Sequence, residues 1–216
     1  KHLILMEGFT LYHMPIYPKM QALIKAGKFG EIKMIQINFG SLKDYDPQNR
    51  FFNKDLAGGA LLDIGGYATA FAISFMDEYP ESINTTVKFF ETGVDEESGI
   101  ILKNSKGQMA VMSLSMRAKQ PKRGLVSGTK GYFEINQYPR GTEADITYTQ
   151  SAHEESYDKV TAGEADQALK YEVTDFQKYI EQGHDEGELE KSRMIAHILT
   201  SIRTAWGMTY PFDNEE

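Results

Sequence analysis

The chain has 216 residues, of which 41% are hydrophobic and 25% charged, an ordinary composition for one globular domain. A domain of this length buries roughly 70% of the surface its unfolded chain exposes, so a core alone can hold it together. It has no cysteine, which excludes a disulfide framework and a thiolate metal site and agrees with a reducing cytoplasm, the expected compartment. The formal net charge of −8 makes the surface repel phosphate backbones, so nucleic acid is not an expected partner.

Lys1 to Glu7 reads as a short apolar strand without the pattern of a signal peptide, running into a connector over Gly8 to Met14. Pro15 suits the first turn of a helix whose apolar stripe is Ile16, Met20, Leu23 and Ile24, with Gly27 as its stop. Glu31 to Gly40 alternates, with Ile35, Ile37 and Phe39 on one face and Gln36 and Asn38 on the other, which predicts a strand. Ser41 to Asn53 is aperiodic and reads as a long loop.

Gly59 to Met76 reads as an apolar helix. The longer run Leu56 to Met76 carries one charge, Asp63, and is long enough to cross a bilayer. Its four glycines and the alternating segments around it favour a buried core helix. Strands follow over Ile83 to Glu91, Gly99 to Lys103 and Gln108 to Arg117. Shorter candidates are Leu125 to Ser127, Tyr132 to Asn136 and Asp145 to Thr149. Two helices close the chain, one on Leu169, Val173, Phe176 and Ile180, the other on Leu189, Ile195, Ile198, Leu199, Ile202 and Trp206. The acidic stretches Asp95 to Glu97, Glu154-Glu155, Asp185 to Glu190 and Asn214 to Glu216 read as solvated loops.

Strands joined by short turns cannot make a parallel doubly wound sheet, whose crossovers take a dozen or more residues each. The expected fold is therefore α+β, a large, mostly antiparallel open sheet with helices on one face. The second face is apolar enough to want a cover, and a second copy of the chain is the expected one.

Asp63 is the sharpest chemical feature, because a carboxylate in an apolar helix must be hydrogen-bonded, paired or protonated. Tyr67 lies one helical turn on, on the same face, and an Asp–Tyr pair can orient a proton beside a carbonyl. The alternative is a structural Asp63 that caps a neighbouring loop, with Tyr67 filling the core. Gly65 and Gly66, between them, suggest a close approach to the backbone. His13 in the connector and Arg50 in the long loop are further candidates, each with a plain structural reading beside it. The five histidines show no metal-ligand spacing, so no metal is expected. No glycine-rich dinucleotide or phosphate loop is present, and Gly124 to Gly131 reads as a hairpin.

These residues resemble the glucose–fructose oxidoreductase, inositol dehydrogenase and rhizopine-catabolism family, Gfo/Idh/MocA. Met6-Glu7-Gly8-Phe9 followed by Pro15 is similar to its junction sequence, and Lys25 to Ile32 to its turn before a strand. Arg50 to Tyr67, with Ala57-Gly58-Gly59-Ala60-Leu61-Leu62-Asp63-Ile64-Gly65 at its centre, is the most specific match. Gly128-Thr129-Lys130-Gly131, Tyr171 to Phe176 and Ile180 to Gly183 extend it nearly end to end. Tyrosine at position 67 brings the chain nearest the dihydrodiol and pentose dehydrogenase branch.

The resemblance implies a dihydrodipicolinate-reductase-like C-terminal domain without its Rossmann domain. Residues 1–14 would be the last strand and connector of that missing domain, and 15–216 the substrate-binding and oligomerisation domain. It also implies NAD or NADP as cofactor, held mainly by the absent half, and a sugar, polyol or dihydrodiol substrate. Tyr67 would be the general acid/base and Asp63 its partner. Tyr12, His13, Arg50 and Phe52 would meet substrate, and Glu7 and Gly66 the cofactor. The family's catalytic lysine lies upstream of the junction, so the chain alone is expected to be inactive. Tyr12 stands where many members have arginine, and Met14 where some have histidine. A non-catalytic binding or dimerisation module is the rival reading.

Overall fold

The computed structural model describes residues 3–214. Eight strands form one sheet: β1 (Ile32–Gly40), β2 (Ser82–Phe89), β3 (Asp95–Lys103), β4 (Met109–Ser115), β5 (Gln120–Gly128), β6 (Gly131–Asn136), β7 (Glu143–Ser151) and β8 (Glu154–Thr161). Their order is β2-β3-β4-β1-β5-β6-β7-β8. Only β1 and β4 run parallel; every other neighbouring pair is antiparallel. The expected α+β fold with an open, mostly antiparallel sheet is what forms.

The parallel pair has a simple origin. β1 is made first and lies in the middle, while the chain leaves it by the long loop and the apolar helix before β2, β3 and β4 add from the edge inward. Ile35, Ile37 and Phe39 of β1, Ala110, Met112 and Leu114 of β4, and Val126 of β5 are buried on one face. Helices α2 (Ile16–Lys25), α3 (Gly66–Phe75) and α5 (Glu188–Trp206) pack on the strands, while α1 (Thr10–His13) and α4 (Ala168–Gln182) pack on each other beside them. On the opposite face Ile101, Val111 and Tyr132 remain exposed.

The run that passes a membrane test by length and composition, Lys54–Phe75, is the core of the protein. Ala68, Ala70, Phe71 and Ala72 are fully buried. The Phe71 ring lies so close to Gly124 of β5 that a Cβ there would collide with it. Burying such a ring contributes about 2–3 kcal/mol, and any side chain at 124 would push α3 off the sheet. The close approach expected at Gly65 and Gly66 also comes from within: a Cβ at 65 would meet Leu114 at 3.1 Å and one at 66 the Phe9 ring at 3.3 Å.

Several local expectations are corrected. Residues 3–7 form no strand, because no sheet strand lies alongside to pair with them, and Leu3 and Leu5 are exposed. Lys1 and His2 lie outside the described residues. β5 and β7 are longer than their apolar centres, and β8, polar on both faces, carries no alternation to reveal it. Helix α4 forms as expected, but its stripe is not buried: Leu169, Val173 and Ile180 are 58%, 57% and 56% exposed.

The acidic stretches are more than solvated loops. Glu188 is buried, accepts from Tyr179 Oη at 3.2 Å and pairs with Lys191 at 2.9 Å. Glu154 and Glu155 lie in β8. Residues 215 and 216 of the last stretch lie outside the described residues. Asp95 is fully buried at the start of β3, where its Oδ2 accepts from the Leu61 N–H at 2.7 Å and so caps the apolar helix. Gly59, at φ +114°, is required there, because a Cβ would run into the same carboxylate.

Burial pushes the Asp95 carboxyl up to about 6, against the pull of backbone N–H groups at Leu61, Asp95 itself and Ala60. The folded state then holds this proton more tightly than the unfolded chain, so this group's contribution to stability is fully present below about pH 4 and is lost as pH rises through about 6. At about 1.4 kcal/mol per pKa unit the full span is on the order of 3 kcal/mol. Asp95→Asn keeps an acceptor for the Leu61 N–H but cannot ionise. Its stability relative to wild type should rise between pH 4 and 7 in urea titrations; a difference that stays flat or falls would contradict a buried carboxyl of this kind.

Candidate active site

The loop after β1 doubles back through Arg50 and ends in a short turn of 3₁₀ helix at Lys54–Leu56. Ala57 and Gly59, both at positive φ, then turn the chain into the apolar helix. That helix opens with a π-helical turn over Leu61–Gly65 and continues as α3. Single π turns occur often at functional sites, since the wider turn shifts side chains relative to an α-helix.

Asp63 lies in the π turn and Tyr67 in the first turn of α3, and both line one cavity of about 360 Å³. Glu7, Gly8, Phe9 and Gly66 share that cavity, with Ile195 and Leu199 of α5 forming its apolar side. Glu7 and Gly66, expected at the cofactor, are thus brought together with Asp63 and Tyr67. No hydrogen bond joins Asp63 to Tyr67. Asp63 instead accepts from Arg50 Nη1 at 3.2 Å, with the arginine over the Phe51 ring at 4.0 Å. The lone carboxylate of the helix is therefore paired, but the pair is open to solvent (side chains 20% and 64% exposed), so its worth to stability is about 1 kcal/mol or less.

Tyr67 is held edge-on to Phe9 at 5.9 Å and tilted against Phe39 at 6.2 Å. Its hydroxyl has no hydrogen-bond partner among the described residues, yet it is not among the sealed polar atoms. The same ring also lines a second cavity of about 510 Å³, with Thr10, Phe39, Lys122 and Arg140. Tyr67 is thus a shared wall: the first strand, the hairpin region and the 3₁₀ turn Tyr138–Arg140 meet it on one side, and α5 and the N-terminal segment on the other. Lys122 went unremarked in the sequence because only Leu125 to Ser127 showed strand character. Once β5 is seen to begin at Gln120, Lys122 shares the buried face with Gly124 and Val126.

The other expected contacts sit elsewhere. His13 is buried, with Nδ1 2.8 Å from Asp175 Oδ2, and lines neither cavity. Phe52 is sealed in an aromatic cluster with Tyr45 and Phe90. Tyr12 turns its ring to Lys191 at 4.8 Å, and its buried hydroxyl is pushed well above the usual phenol range, chiefly by desolvation and then by Glu188. Met14 is fully buried core. Helix α1 carries Tyr12 and His13 away from both cavities, and of its residues Thr10 lines the larger one.

With this geometry in view, comparison with known proteins is specific. Residues 17–134 match the family profile described as GFO/IDH/MocA C-terminal domain. The chain is 31% identical over 219 residues to trans-1,2-dihydrobenzene-1,2-diol dehydrogenase of Xenopus tropicalis, and 27% over 223 residues to that of Homo sapiens. These alignments cover 97% and 98% of this chain but 65% and 64% of the relatives, so the chain spans about two thirds of their length. Among solved structures it superposes on levoglucosan dehydrogenase in complex with NADH and levoglucosan with a TM-score of 0.81 at 19% identity, over 97% of this chain and 66% of that one. A 3-ketoreductase from Actinomadura kijaniata with NADP gives 0.78 at 21%, over 94% and 62%. At those identities the superpositions establish the fold.

The free hydroxyl makes a structural prediction. Tyr67→Phe should leave the unfolding free energy from urea titration within about 0.5 kcal/mol of wild type. Tyr17→Phe, which removes a buried hydrogen bond to the Tyr138 carbonyl (2.7 Å), should cost about 1–2 kcal/mol. Equal losses would mean that the Tyr67 hydroxyl is a structural group.

Proposed function

The chain belongs to the GFO/IDH/MocA family, and we propose that it is the substrate-binding and proton-transferring half of an NAD(P)-dependent oxidoreductase acting on a hydroxyl or carbonyl carbon of a sugar, polyol or dihydrodiol. The observation that carries this reading is the Tyr67 hydroxyl, unpartnered and reachable, on the wall between two cavities. Lack of a partner alone does not mark it, since the core hydroxyls of Tyr12 and Tyr138 have none either; what sets the Tyr67 hydroxyl apart is that it is not sealed from the cavities.

The cavity of about 360 Å³ suits one face of a nicotinamide: apolar sides from Phe9, Leu62, Ile195 and Leu199, polar groups from Glu7 and Ser192, and no side chain at Gly66. A dinucleotide-binding domain outside this fold would hold the rest of the cofactor. When bound, NAD(P) accepts or donates the hydride. The chain's own residues do the remainder. Tyr67 would give a proton to the carbonyl oxygen in reduction, or take one from the hydroxyl in oxidation, at its Oη. Arg50 holds Asp63 at the cavity edge. Phe9 and Phe39 fix the angle of the Tyr67 ring and keep water from its faces.

For oligomerisation, the open sheet face with Ile101, Val111 and Tyr132 is the surface proposed to meet a second copy. Val111→Lys should shift sedimentation towards the smaller species; an unchanged profile would remove that face from consideration.

The 216-residue chain alone should show no turnover with NADH or NADPH. Joined to a dinucleotide-binding domain, Tyr67→Phe should lower kcat by about 10²- to 10⁴-fold with a smaller change in KM. Turnover by the isolated chain, or a Tyr67→Phe protein as fast as wild type, would refute the assignment.

A further inference from the structure

We propose that the substrate presented to Tyr67 carries an anionic group, a carboxylate or a phosphate, and that Lys122 and Arg140 receive it in the cavity of about 510 Å³. The proposal takes from the preceding reading only the side of Tyr67 on which substrate lies; the anion site stands on its own geometry.

The protein carries a net charge of −8, and lysines elsewhere on it form ion pairs: Lys88 with Glu96 at 2.8 Å, Lys159 with Asp145 at 3.0 Å, Lys178 with Glu186 at 2.6 Å. Around this cavity none forms among the described residues. Lys122 and Arg140 line it, and neither has a carboxylate within 4.0 Å among the described residues. No acidic residue lines the cavity. Glu164 and Asp166 flank Ala165 at its rim, and Glu172 accepts from Thr10 Oγ1 at 3.4 Å, but none of the three faces into it.

Lys122 is half-buried, its Nζ 4.8 Å from the centre of the Phe39 ring that also packs on Tyr67. Desolvation lowers its pKa, and so does repulsion from Lys119, Lys43 and Arg140. Four cations with no counter-charge repel one another in the folded state, and an anion placed among them relieves that repulsion. The backbone adds a second mark. Gln137, on the cavity wall and three residues before Arg140, has φ +53°, a left-handed conformation rare for a side-chain-bearing residue and costly by about 1–3 kcal/mol. That turn sets the 3₁₀ segment from which Arg140 reaches the mouth. Arginine offers a planar fork that matches a carboxylate or phosphate, and lysine a point charge deeper inside.

The test is binding to the 216-residue chain followed by amide NMR, with benzoate, phenyl phosphate and benzyl alcohol as probes. The two acids should shift the Gln137, Arg140 and Ala165 amides saturably, and the neutral alcohol should bind at least about tenfold more weakly. The tighter acid identifies carboxylate or phosphate as the group. Lys122→Met and Arg140→Met, which keep much of each side chain's bulk, should each weaken the acids at least about tenfold while amide dispersion reports an intact fold. The exposed Arg140 serves if Lys122→Met is unstable. Benzyl alcohol binding as tightly as the acids, shifts confined to another surface, no binding of either acid, or affinity unmoved by both variants would each overturn the proposal. Tyr67→Phe should retain acid binding; if it also retains turnover in the joined protein, the proton-transfer reading fails and the anion site does not.

Discussion

The contact between the Phe71 ring and the bare backbone of Gly124 sets how close α3 lies to the sheet, and the site hangs from that distance. With the helix seated there, Leu114 meets Gly65, Phe9 meets Gly66, and Tyr67 lies one turn before Phe71 with its ring against Phe39 of β1. The helix is also fixed at its start. Asp95 reaches from β3 to hold the Leu61 N–H, so the π turn is pinned between a buried carboxylate and a close-packed glycine pair. A helix held at both ends positions a phenol more sharply than a loop can, and proton transfer requires that sharpness.

The fold was legible wherever one face of an element is buried against a partner in this chain. β1 and β4 alternate because helices cover one side only, and α2 and α5 show stripes because they lie on the sheet. Legibility failed where burial does not produce a pattern. β8 pairs along the edge through backbone hydrogen bonds and the exposed ion pairs of Lys159 with Glu143 and Asp145, so its side chains are mostly polar. Asp95 looked like part of a solvated acidic run because nothing local shows that a helix N-terminus is waiting for it 34 residues upstream. Helix α4 was recognised by its stripe, but a stripe shows that a face is apolar, not that this chain covers it.

The site divides in the same way. Asp63 and Tyr67 could be singled out because one charge in an apolar helix is anomalous at the level of the residue list, and the glycines between them marked a tight place. The pairing of Asp63 with Arg50 follows from the loop folding back, which composition cannot express. His13 was a candidate by its place in the connector and Phe52 by resemblance, and both go elsewhere: the histidine to Asp175 on α4, the phenylalanine to an aromatic cluster beneath the loop. Lys122 was hidden by the opposite error. Flanked by Pro121 and Arg123 it reads as surface, and only its position two residues before Gly124 on the covered face turns it inward.

That inward lysine changes how the electrostatics of the protein are divided. An acidic exterior keeps the chain soluble and holds anions away at long range, within a Debye length of about 8 Å at physiological salt. The cavity beside Tyr67 is the exception to that sign, and its low-dielectric walls of Phe39 and Pro139 strengthen a charge interaction that water would weaken. The two cavities differ in the sign of their charge: the one along α5 has the carboxylates Glu7 and Asp63 on its wall, and the one under the hairpin has Lys122 and Arg140. Tyr67 is the residue that lines both, which is where the proposed proton transfer would need it.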